Sequence, residues 1–256
     1  MSYLLETVDL SVAFGEQTVI NKVSLRIPKQ RFTSIIGPNG AGKTTLFNLL
    51  SGQLTPSQGT IKYKGQEITH LPPAARTRLG IGRSFQLTNL FPKLTVRENI
   101  RLAVQAAQGV RFRLWISQAD QMRQAEEVER LLHLVLLEKK ANVLASLLAH
   151  GEKRKLELAM LLGLRPDVLL LDEPTAGISL EEVPAVLKVI ESIKESNSCT
   201  IILIEHKMDM VKSLSDHMVV LFHGELLAEG TPTDMMRNEQ VQSAYLGGLY
   251  KHDAAT

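Results

Sequence analysis

The sequence predicts an α/β protein: a parallel-sheet lobe with an antiparallel β-subdomain at its N-terminal side and a helical lobe inserted into it. Three observations carry this. Residues 33–36, 168–171, 200–204 and 218–221 are short apolar runs, mostly rich in branched residues, the pattern of strands buried on both faces. Between the second and third runs, Val186, Val189, Ile190 and Ile193 recur at i, i+3, i+4 and i+7, which makes a strand, crossover helix and strand in order. The strand signal is absent from residues 96–164.

Taken in order, residues 4–14, 18–27 and 60–63 alternate in shorter runs separated by turn residues such as Gly15 and Asn21, and read as antiparallel strands. Residues 33–36 then form the first buried strand, followed by a glycine-rich segment and a helical pattern over 46–50. Residues 119–137 place Met122, Ala125, Val128, Leu131 and Leu132 at helical spacing beside Glu126, Glu127, Glu129 and Arg130. The α/β pattern resumes near Pro166. The expected division is residues 1–86 and 164–256 in the α/β lobe and 87–163 in the helical lobe, all parts of one domain over 1–256.

Composition narrows the partners. The 256 residues are 44% apolar and 22% charged, the proportions of an ordinary globular protein. With 29 Lys and Arg against 27 Asp and Glu, the formal charge is +2, which argues against a nucleic-acid partner, since backbone binding relies on clustered Lys and Arg. No run approaches the ~18 apolar residues of a membrane span. The opening residues lack the basic flank and apolar segment of a secretory signal, so a cytoplasmic address is expected. The one cysteine, Cys199, excludes an intrachain disulfide and reads as a small buried hydrophobe.

Chemistry concentrates in Gly37-Pro38-Asn39-Gly40-Ala41-Gly42-Lys43-Thr44-Thr45, after an apolar strand and before a helix. This matches the G-x-x-x-x-G-K-[ST] phosphate loop in the setting it requires, and a P-loop NTPase lobe, similar to the RecA-like type, is expected. Glycines let the chain turn with its N–H groups inward, and the helix adds its positive end, so phosphate oxygens meet ready donors. Lys43 is expected on the β- and γ-phosphates of ATP, and the Thr44 hydroxyl on Mg²⁺. The run 168–171 ends in Asp172-Glu173, carboxylates released where a strand stops. Ligands of open α/β sheets bind beyond the carboxyl ends of the strands, so Asp172 is expected near Thr44 to help hold Mg²⁺, with Glu173 left to activate the attacking water. Gln86, after Ser84-Phe85, either ligates Mg²⁺, holds that water, or is a surface residue. His206, closing the run 200–204, either bonds a γ-phosphate oxygen or is structural.

In their order, these motifs resemble the nucleotide-binding subunits of ATP-binding cassette transporters. The resemblance covers nearly the whole chain. It also takes in Leu148-Ala149-His150-Gly151-Glu152 at the place of the family's L-S-G-G-Q signature loop, Ala176-Gly177-Ile178-Ser179 after the second carboxylate, and Phe14 as the aromatic on which adenine stacks. It implies that two cassettes pair head to tail, each ATP lying between the phosphate loop of one and the signature loop of the other. Gly151 would then offer its N–H at a helix N-terminus, while Lys153, Arg154 and Lys155 either add positive field or form a solvated face. Two departures stand out: Ala149 in place of the signature serine, and Ser179 in place of the usual Asp or Asn.

The wording Gly80-Ile81-Gly82-Arg83-Ser84-Phe85-Gln86, Leu90-Phe91-Pro92-Lys93-Leu94-Thr95-Val96-Arg97-Glu98-Asn99, Ile204-Glu205-His206-Lys207-Met208, Glu229-Gly230-Thr231-Pro232 and Ala244-Tyr245-Leu246-Gly247 resembles the branched-chain amino-acid import branch. The resemblance implies an ATPase subunit that works with a second cassette, itself or a paralogue, with integral-membrane permease subunits, and indirectly with an external substrate-binding protein. Its place is then peripheral, on the cytoplasmic face of the membrane. The face near Leu90, Phe91 and Trp115 either grips a permease helix or fills the lobe's own core. Urea or amide importers and a lipopolysaccharide exporter share similar wording, and a soluble cassette acting in DNA repair or translation is the alternative of another class.

Overall fold

A computed structural model describes residues 3–84, 90–108 and 118–244 of the chain. Strands β1 (Tyr3–Phe14) and β2 (Gln17–Pro28) form a long antiparallel hairpin, and β3 (Phe32–Ile36) leads through the glycine-rich loop into α1 (Lys43–Ser51). Strands β4 (Gln58–Tyr63) and β5 (Gln66–Glu67), helix α2 (Pro73–Leu79) and strand β6 (Ile81–Arg83) follow. Helices α3 (Val96–Ala107), α4 (Gln118–Leu134) and α5 (His150–Gly163) make the helical lobe, with 3₁₀ turns at Glu138–Lys140 and Ala145–Leu147. The chain then runs through β7 (Val168–Asp172), α6 (Val183–Glu195), β8 (Thr200–Ile204), α7 (Met208–Leu214), β9 (His217–Phe222), β10 (Glu225–Gly230) and α8 (Pro232–Arg237).

Two sheets result. The antiparallel one has the order β2-β1-β4-β5, and the other the order β10-β9-β3-β8-β7-β6, parallel except for β10 at its edge. Strands β3, β7 and β8 are buried at every residue, as the unbroken apolar runs predict. Their alternate side chains serve two different cores. Val168 and Leu170 pack with the antiparallel sheet and α1, whereas Leu169 and Leu171 pack with α6 and with the helical lobe. A parallel sheet covered on both faces needs apolar residues of both parities, which is why these strands show no alternation.

The helical lobe begins at a reciprocal cap: Thr95 Oγ1 accepts the Glu98 N–H, and Glu98 Oε2 accepts the Thr95 N–H at 2.8 Å. Within α4 the buried stripe differs from the expected one. Met122 is 60% exposed and Ala125 is exposed too, while Gln124 is buried beside Val128, Leu131 and Leu132. The amide of Gln124 donates to Gln108 and accepts from Gln105, so a polar residue is satisfied at a position that the apolar pattern had not marked. No helix among the described residues is long and apolar enough to cross a membrane.

Candidate active site

The phosphate loop bridges the carboxyl end of β3 and the N-terminus of α1, and two of its glycines have steric reasons. A Cβ at Gly37 would lie 2.2 Å from the Leu221 carbonyl oxygen, and Gly42 caps α1 at φ 95°, the left-handed region. Lys43 is buried. Its Nζ donates to the carbonyls of Gly37 at 2.7 Å and Pro38 at 2.9 Å, curling the side chain over the loop. Burial lowers its pKa from the ordinary lysine value, against the pull of Glu173 and Asp172, whose charges favour the ammonium.

A cleft of about 230 Å³ is lined by Val19, Asn39, Gly40, Ala41, Gly42, Lys43, Thr44, Thr45, Glu173 and His206. Residues far apart in the chain thus meet at the carboxyl ends of β3, β7 and β8, as the topology of an open α/β sheet requires. Glu173 follows β7 with a left-handed backbone, φ 45°, and His206 lies just past β8. Glu173 Oε1 and His206 Nε2 are 2.8 Å apart; the carboxylate accepts and the ring N–H donates.

Asp172 is 2% exposed and faces Arg83, whose Nη2 donates to Oδ2 at 3.1 Å. The same guanidinium donates through Nη1 to Asn48 Oδ1 at 2.7 Å and Ser51 Oγ at 2.8 Å, tying β6, β7 and α1 together. Burial raises the Asp172 pKa, opposed by Arg83 and reinforced by the charge of Glu173. Its Oδ1 is buried without a hydrogen-bond partner among the described residues. Asp172 does not itself line the cleft, whereas Thr44 does and is exposed. An orphaned carboxylate oxygen and an exposed hydroxyl are donor types that fit Mg²⁺, which commonly takes one or two carboxylates and completes its shell with phosphates and water.

The other expected residues lie apart. Phe14 is exposed at the tip of the β1–β2 hairpin, whose other strand contributes Val19 to the cleft. Ala149, His150, Gly151 and Glu152 form the start of α5 and do not line the cleft of their own chain. The Gly151 N–H, expected to be open, donates to Glu182 Oε1 at 3.1 Å, and Ser179 Oγ donates to the other oxygen of that carboxylate at 3.1 Å. Gln86 and Trp115 fall outside the described residues, as do Tyr245, Leu246 and Gly247. Leu90 packs against the helical core, while Phe91 is exposed.

Neither reading of Lys153, Arg154 and Lys155 holds for the last two, which are buried. Lys155 Nζ donates to the Leu136 carbonyl, and Arg154 reaches the carbonyls of Pro174 and Asp172. Helix α5 thereby touches the backbone on both sides of Glu173. Arg83, Arg154 and Glu205 are the residues near the site to which sequence reasoning assigned no such contacts. Each is a charged residue beside an apolar strand or on an apolar helix, a signal that marks burial without naming the partner.

A family model described as ABC transporter matches residues 20–176, and a second, described as Branched-chain amino acid ATP-binding cassette transporter, matches residues 225–250. The chain belongs to the ATP-binding cassette transporter family. It is 38% identical to the high-affinity branched-chain amino acid transport ATP-binding protein BraF of Pseudomonas aeruginosa, over 95% of this cassette and 98% of that protein. The corresponding protein LivG of Escherichia coli shares 38% identity over the same fractions. Among solved structures, the ADP conformation of MJ1267, an ATP-binding cassette of an ABC transporter, superposes with a TM-score of 0.79 at 27% identity, covering 96% of this cassette and 100% of that chain. The cassette is an ATP-binding, ATP-hydrolysing domain with the P-loop NTPase fold.

Proposed function

We propose that this cassette is the ATPase subunit of an importer for branched-chain amino acids, bound peripherally at the cytoplasmic face of the membrane. The observation that carries the hydrolytic reading is the convergence of the phosphate loop, Glu173 and His206 on one cleft. The names of the relatives support the transported class.

In this reading, the N–H groups from Gly37 to Thr45 and the positive end of α1 hold the phosphates of ATP, and Phe14 stacks on adenine. Lys43 exchanges its carbonyl partners for the β- and γ-phosphate oxygens. Bound Mg²⁺, held by Thr44, Asp172 and Gln86, supplies charge that offsets the developing negative charge on the transferred phosphoryl group. Glu173 takes the proton of the attacking water, while His206 keeps that carboxylate in place and reaches a γ-phosphate oxygen.

The second cassette, self or paralogue, presents its own signature loop to this nucleotide, and Ala149, His150, Gly151 and Glu152 of this chain face the nucleotide held by the partner. Phe91, Leu144 and Leu147 are exposed large apolar residues of the helical lobe. They lie on two strips joined by hydrogen bonds from Ala145 N to Leu94 O and from Ser146 N to Pro92 O, and are offered to the permease. An external binding protein delivers the substrate.

Substitution tests the site. Glu173→Gln should bind ATP with near-normal affinity while turnover falls by ~10²- to 10⁴-fold. Lys43→Ala should lose ATP affinity. Normal phosphate release by the first variant, or an unchanged nucleotide titration of the second, would remove these residues from their roles. Co-purification with membrane subunits, followed by identifying the ligand of the associated binding protein, tests the substrate class.

A further inference from the structure

Glu205 is a buried carboxylate that the reading above does not use. It is 3% exposed, stands between the end of β8 and His206, and accepts three hydrogen bonds. The Thr175 hydroxyl donates to Oε1 at 2.6 Å, and the backbone N–H groups of His206 and Lys207 donate to Oε2 at 2.9 and 3.3 Å. Thr175 is itself buried and lies two residues beyond Glu173. A closed ring therefore runs from Glu173 along the chain to Thr175, through its hydroxyl to Glu205, along the chain to His206, and through the imidazole back to Glu173 at 2.8 Å.

We propose that Glu205 is a positioning residue for hydrolysis, clamping the loop of Glu173 to the turn of His206 so that the two side chains meet in register. The inference rests on the assignment of Glu173 and His206 made above. Both side chains are partly exposed, and both stand on loops past strand ends. Glu173 further holds a left-handed backbone, φ 45°, uncommon for a non-glycine residue. Direct restraint of the loop comes from the Glu173 N–H bonded to the Ile204 carbonyl at 3.0 Å and from the Thr175–Glu205 bond. The two oxygens of a carboxylate let one side chain take a hydroxyl on one side and two amides on the other. Catalytic side chains need such support, because a misplacement of about 1 Å can cost ~10²-fold in rate.

The test uses the full chain with Mg·ATP. Glu205→Ala should lower kcat by roughly 10- to 100-fold while KM for ATP stays within about 3-fold. Glu205→Gln should recover most of kcat, because its amide oxygen can accept both backbone N–H groups and its NH₂ can donate to Thr175, whose hydroxyl then turns to accept. Thr175→Val should fall in between, and adding it to Glu205→Ala should cost little more.

Hydrogen exchange gives a readout independent of turnover. The His206 and Lys207 amides should be protected in the parent and in Glu205→Gln, and exposed in Glu205→Ala. An unchanged kcat in Glu205→Ala, a KM that rises in step with the loss, or a Gln variant as poor as Ala would overturn the proposal. If Glu205→Ala does not fold, Thr175→Val and Glu205→Gln decide it, and normal turnover in the valine variant overturns it. Glu173→Gln separates the two layers. Normal turnover there defeats the assignment of the base, whereas an inactive Glu173→Gln beside an active Glu205→Ala defeats the clamp alone.

Discussion

Arg76 carries its guanidinium into the interior, at 1% exposure, and donates to the carbonyls of Leu49, Leu50, Thr69 and Leu71. Burial pushes its pKa down to about 10, still above neutrality, so the charge persists and satisfies the last carbonyls of α1. The helix that begins at the phosphate loop is thus anchored at its far end by a cation. Arg76→Met should cost about 3 kcal/mol or more, because several buried acceptors lose their donor at once, and a lowered urea midpoint of the full chain would measure it. A midpoint within experimental scatter of the parent would show that water replaces the guanidinium. No motif marks Arg76, since its acceptors come from four positions that only the fold gathers. Cys199, by contrast, is buried as its residue type suggests, with the thiol pushed up to about 11 by desolvation.

At the scale of elements, α5 shows how one helix can serve two lobes. Its first turn is held by acids: Glu152 accepts the Ala149 N–H at 3.1 Å, and Glu182 accepts that of Gly151. Ala149, the N-cap residue, has no side-chain acceptor. Ala149→Ser should therefore stabilise the chain by about 1 kcal/mol through a new cap bond to a first-turn N–H, seen as a raised melting temperature. In the paired assembly the same serine restores a hydroxyl toward the phosphate, where a charge-assisted hydrogen bond is worth ~1.5 to 3 kcal/mol, and turnover should rise. Unchanged turnover in the assembled transporter would show that the alanine does not slow the composite site. Further along, Arg154 ties α5 to the backbone on either side of Glu173, through the carbonyls of Asp172 and Pro174.

For the whole molecule, the apolar cluster that contains Ile100, Leu131 and Leu156 of the helical lobe continues without a break to Leu169, Leu171, Ile201 and Leu203 of the sheet. The second cluster fills the other face of the same strands. Strands β7 and β8 belong to both, so neither core can open without exposing residues that border the other. We expect residues 1–256 to melt as one cooperative unit, with a calorimetric enthalpy equal to the van't Hoff value. Saturating ATP should shift that single transition upward, by about 2.7 kcal/mol at 100 times Kd. Two separable transitions, only one of them moved by nucleotide, would show the lobes to be independent.

The phosphate loop, the acidic pair and the apolar strands were legible because each is local. A tight turn, a strand end and a two-sided burial pattern all depend on neighbours a few residues away. From them the α/β class and a phosphate-binding loop could be read, and the order of the motifs along the chain carried the resemblance to the family. The tertiary structure alone decided that Arg83 takes one oxygen of Asp172, that Glu205 holds Thr175 and the turn of His206, and that Gln124 is buried where Met122 is not. These contacts join segments up to 89 residues apart, as between Arg83 and Asp172. Their geometry follows from how the sheet orders its strands, and no periodicity along the chain encodes that order.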